Sequence, residues 1–150
     1  MEILKQNKEI LNFLIFISLL FTAFILSYLA FTYEFIILFI FVFFLLLFGS
    51  ILFGYFSKNQ VLSAIFGFLI YPISLAGADF NNLSNLDLNF EYVLSYVFSE
   101  IMLLSVLSAA IGWLAASHLE DRDKQMFRYM AAAFLFVFYL MIFAGVFRPN

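Results

Sequence analysis

The sequence contains no cysteine. That excludes disulfides, thiolate metal sites, iron–sulfur clusters and thiol redox chemistry, and it leaves the compartment open on redox grounds. Charge is scarce too. Only 11% of the 150 residues are Asp, Glu, Lys or Arg, against about 25% in an ordinary soluble domain. There is one histidine, so haem held by two histidines is excluded. The net charge is −3, with no run of basic residues, and this gives no reason to expect a nucleic acid partner. The P-loop, G-x-S-x-G, H-E-x-x-H and dinucleotide-binding patterns are all missing. No catalytic residue, metal site or cofactor is expected.

What remains is apolar: 66% of residues are hydrophobic, and 24 of the 150 are phenylalanine. The solvent for most of such a chain is lipid. A helix needs about 20 residues, at ~1.5 Å each, to cross a bilayer. Five stretches qualify, and they predict an all-α integral membrane bundle with helices over about 10–31, 35–56, 61–78, 91–117 and 126–147. They form a single transmembrane domain over 1–150, with no separate soluble domain. The first run exceeds the ~7–15 residues of a signal-peptide core, and no A-x-A site follows, so it is expected to be retained. Thr32, Tyr33 and Glu34 must form a tight turn, although no Gly or Pro marks it. The second run is apolar on every face, which predicts a helix at the lipid-facing edge of the bundle. The third contains Pro72, which predicts a bend near Phe68. Its Ser63, Gly67, Ser74 and Ala78 recur at a spacing suited to close packing.

Five spans distribute the basic residues unequally. Lys5, Lys8, Lys58, Arg122, Lys124 and Arg128 fall on one side, and only Arg148 on the other. The positive-inside rule then puts the N-terminus on the cytoplasmic side and the C-terminus outside, in a cell membrane or an organellar inner membrane. Tyr28, Tyr33, Tyr92 and Tyr96 fall near the outer interface, and Tyr55, Trp113 and Tyr129 near the inner one, as an aromatic belt does.

Glu100 is the only ionisable side chain expected deep in a span. An intramembrane acid is a functional-site candidate by default. At 100° per residue it aligns with Tyr96, Leu104, Leu107 and Ile111. Tyr71, Ser74, Tyr96 and Tyr139 are its expected hydrogen-bond partners. It reads either as a proton- or cation-handling carboxylate or as a neutral acid that glues helices together. A second group, Glu34, Asp79, Asp87 and Glu91, forms an outer acidic set whose oxygens suit Ca²⁺ or Mg²⁺, but its spacing follows no metal loop. His118, followed by Glu120, Asp121 and Asp123, is expected to be a linker histidine at a helix C-terminus, where the dipole favours a cation.

The fourth span also carries a seam of small residues: Ser105, Ser108, Ala109, Gly112 and Ala116. Small-xxx-small spacing lets backbones approach in lipid. Ala131, Ala132 and Ala133 lie at a matching depth on the fifth span, which is therefore expected to receive the seam. The function expected from all this is a non-catalytic accessory or assembly subunit of a larger membrane complex, or a homo-oligomer. Its partners are the lipid bilayer and other membrane subunits or further copies of itself. The alternative is a small proton- or cation-coupled transporter or channel that uses Glu100.

Overall fold

The computed structural model describes residues 2–78, 80, 99–117 and 122–146. The side chains of residues 2–6, 100, 122 and 146 lie outside that description. The described residues form five helices and no strand: α1 Glu2–Tyr33, α2 Ile36–Ser57, α3 Gln60–Ala78, α4 Glu100–Ala115 and α5 Arg122–Val146. The protein is an all-helical bundle. Helices α1, α2, α3 and α5 are each long and apolar enough to cross a membrane. Helix α4 is apolar but has 16 residues, roughly 24 Å at the helical rise.

The helices alternate in direction. Glu34 and Phe35 join α1 to α2 at one end of the bundle, and Lys58 and Asn59 join α2 to α3 at the other. Ile101 shares a cavity with Phe31, Phe39 and Ala78, and Ala116 shares a cleft with Ser57 and Lys58. Helix α4 thus runs from the Glu34 end to the Lys58 end. Arg128 lines the same Lys58-end cleft, while the Phe143 ring meets Phe43 edge to face. Helix α5 therefore returns toward the Glu34 end.

Both turns are made by a charged residue with left-handed backbone: φ is 54° at Glu34 and at Lys58. The Lys58 N–H donates to Gly54 O at 3.1 Å, which closes α2 with a left-handed cap. Asn59 then starts α3, its Oδ1 accepting from the Leu62 N–H at 3.0 Å, as a helix N-cap does.

The core begins on α1, whose Phe16, Leu20, Ala23, Ser27 and Ala30 are buried. Their alternating spacing of four and three residues makes one narrow stripe. Phe16 meets Phe53 of α2 and Phe66 of α3, with ring centroids 4.8–6.2 Å apart across the trio. Helices α1 and α3 come into near backbone contact at Gly77, where an added Cβ would strike Phe24 O.

Two expectations need correction. Helix α2 is not at the edge. It packs against α1, α3 and α4, burying Val42, Leu46, Gly49, Ser50, Phe53, Gly54 and Ser57. Two glycines and two serines at helical spacing form a narrow seam that its surrounding phenylalanines and leucines conceal. The edge position belongs to α5, whose buried side chains are Tyr139 and Phe143. The fourth helix, expected from residue 91, begins at Glu100. Ser99 is extended (φ −81°, ψ 158°) and its Oγ accepts from the Met102 N–H at 3.4 Å, which is N-cap geometry. Residues 81–98 lie outside the described residues. Helix α1 starts earlier than its apolar run, at Glu2, and α3 continues through Pro72.

Candidate functional site

The centre of the bundle is where α4 meets α2 and α3. Ser105, Ser108, Gly112 and Ala116 are buried and Ala109 is half-buried. A Cβ added at Gly112 would lie 2.7 Å from Ser63 O, and one at Gly54 would lie 2.7 Å from Gly112 O. A Cβ at Gly67 would strike Ser108 O. Three backbones are therefore in near contact, which only glycine allows at these positions. The Ser50 and Ser108 hydroxyls hydrogen-bond across the same junction at 2.5 Å. The expected placement of this seam against α5 is corrected. Helices α4 and α5 do pack together, but the glycine contacts go to α2 and α3. The reason is chemical: α2 and α3 offer Gly54 and Gly67 at the matching level, whereas α5 offers alanines.

A second polar group lies nearer the Glu34 end. The Tyr139 hydroxyl donates to Leu46 O at 2.6 Å. With that proton committed, Tyr71 is the donor in the Tyr71–Tyr139 hydrogen bond. Two residues expected to meet Glu100 thus satisfy each other and tie α3 and α5 to α2. Ser74, another expected partner, is buried with no hydrogen-bond partner for its Oγ, and the same holds for Ser27 on α1. Ser27, Ser74, Tyr71, Val42, Leu46 and Ile101 line a cavity of about 170 Å³ with almost wholly apolar walls.

Glu100 is the first residue of α4, not a mid-helix residue. The next residue, Ile101, lines that cavity with Ser74, Leu75 and Ala78, so α4 begins level with the last turns of α3. The Glu100 side chain lies outside the described residues, as do Tyr96, Asp79, Asp87, Glu91, His118, Glu120, Asp121 and Arg148. Of the outer acidic set, Glu34 is described. It is exposed in the α1–α2 turn.

The Lys58 end holds a third network. The Ser63 hydroxyl donates to Asn59 O at 2.7 Å, so Ser57 is the donor to Ser63 Oγ at 2.9 Å. Asn12 of α1 donates its side-chain amide to Ser57 O at 3.1 Å. The sequence did not single out Asn12. Its signal was available, since it is an amide inside the first apolar run, where an unpaired polar group is costly.

No protein-family model, curated protein or solved structure matches the chain.

Proposed function

We propose that this chain is a non-catalytic membrane subunit that works within a larger assembly, either with other membrane proteins or with copies of itself. Its Lys58 end faces the cytoplasm in this proposal, which the six basic residues against one on the two sides support. The observation that carries the assembly reading is α5. That helix buries Tyr139 and Phe143 and turns a stripe outward: Phe127, Met130, Phe134, Val137 and Met141 are all more than half exposed. Their spacing of three and four residues is that of a helix-packing face, and the methionines adapt readily to a partner. The interior hydroxyls support the same reading, because Ser50, Ser57, Ser63, Ser108, Tyr71 and Tyr139 are engaged in bonds that hold the bundle together.

The test is gentle solubilisation followed by mass measurement and identification of co-purifying chains. The proposal expects a particle well above the 17.4 kDa of one chain, after allowance for bound detergent. A lone chain, recovered under conditions that keep known complexes intact, contradicts it. The transporter alternative draws on two unpartnered serines, Ser27 and Ser74, beside the start of α4. It predicts that Glu100→Gln abolishes flux in vesicles while assembly survives. The subunit reading predicts a mild effect, because glutamine keeps a hydrogen-bonding side chain.

A further inference from the structure

At the Lys58 end a cleft of about 640 Å³ opens between α1, the α2–α3 turn and α5. Three cations line it from three separate elements: Lys8 from α1, Lys58 from the turn and Arg128 from α5. Among the described lining residues Glu9 is the one carboxylate, against three cations. Among the described residues, no ion pair or side-chain hydrogen bond involves any of these three cations. The side-chain amides of Asn12, Asn59 and Gln60 complete the polar wall. Like charges that line one cleft repel one another, and an anion in the cleft relieves that repulsion.

The cleft is continuous with apolar surface. Val61 lines it and is exposed, and Ile65 and Phe68 continue that exposed line down α3. On α1, exposed Leu11 and Ile15 follow Lys8 in the same way. A ligand seated here meets positive charge and amides at one end and hydrocarbon-facing side chains below.

We propose that this cleft binds the headgroup of one anionic phospholipid from the leaflet at the Lys58 end, its acyl chains lying along Val61, Ile65 and Phe68. Arg128 supplies the planar fork that matches a phosphate, and Lys8 and Lys58 supply point charges. Basic pockets between membrane helices on the cytoplasmic side are established sites for anionic headgroups. The apolar track separates this from a site for free phosphate, which has no use for it. The inference does not require the subunit reading, since a monomer presents the same cleft.

The test uses the purified full chain in neutral detergent, titrated with short-chain phosphatidylglycerol, with phosphatidylcholine of the same chains, or with inorganic phosphate. Bound lipid is counted by native mass spectrometry. The expected result is one phosphatidylglycerol per chain, bound well ahead of phosphatidylcholine and not displaced by millimolar phosphate. Lys8→Gln, Lys58→Gln and Arg128→Gln should each weaken it about fivefold, the effect expected of one basic residue near an anionic headgroup. Lys124→Gln, outside the cleft, should leave affinity unchanged. Equal binding of the two lipids overturns the proposal. So does full affinity in the three cleft variants, or displacement by phosphate, which would make the site one for a free anion.

Discussion

Glu34 and Lys58 turn the chain in the same way, each with a backbone φ of 54°. For a residue with a Cβ, the left-handed region costs on the order of 1 kcal/mol. Glycine removes that cost, at the price of a more flexible unfolded chain. Glu34 is exposed and is the simpler case. Glu34→Gly is expected to stabilise the bundle by up to about 1 kcal/mol, read from reversible unfolding in mixed micelles. A loss of stability would show that the Glu34 side chain itself holds the turn. The absence of Gly and Pro from this turn is why the sequence locates it only as a polar break between two apolar runs. The chain bends there because two spans cannot be one, and the backbone accepts the strain.

At the scale of elements, the bundle is held by close approach of backbones at glycine. Gly112 is the test. A methyl placed there meets Ser63 O at 2.7 Å, whereas one at Gly145 meets nothing within 4 Å. Ser63 O belongs to helix backbone and cannot swing away, so Gly112→Ala must part α4 from α3. The expected cost is about 1–3 kcal/mol, typical of overpacking, with Gly145→Ala within about 0.5 kcal/mol of the parent, as for a surface change. Equal behaviour of the two variants in thermal unfolding would remove the seam from the account. The small residues of α4 were legible in the sequence because they recur at helical spacing. Their neighbour was not, because the choice between α5 and the α2–α3 pair depends on Gly54 and Gly67 in other helices. The matching seam of α2 was hidden for a related reason. Gly49, Ser50, Gly54 and Ser57 are four residues among large apolar ones, and average hydropathy passes over them. The start of α4 was missed because Ser99 and Glu100 lie inside an apolar run. A serine cap followed by an acid is a helix-start signal, and it outweighed the continuity of hydrophobicity.

The whole molecule is an up-and-down bundle with its shortest described helix near the centre. Helix α4 touches α2, α3 and α5, although its described length falls short of the ~30 Å hydrocarbon core. One face of α4 is packed against protein, while Leu103, Val106 and Trp113 on the other are exposed. The bundle presents two different surfaces to its surroundings, the Met- and Phe-rich stripe of α5 and the cationic cleft at the Lys58 end. The first bears on assembly and the second on the lipid around it. Both presuppose that α4 carries the chain from one side of the bilayer to the other. The absence of cysteine makes this directly measurable, because single introduced thiols have no background. Lys58→Cys and Asn150→Cys, each probed in sealed vesicles with a membrane-impermeant thiol reagent, decide the matter. Five crossings put the two positions on opposite faces, so that only one of them is labelled from any given side. Labelling of both from the same side would mean that α4 does not cross, and the topology would be wrong.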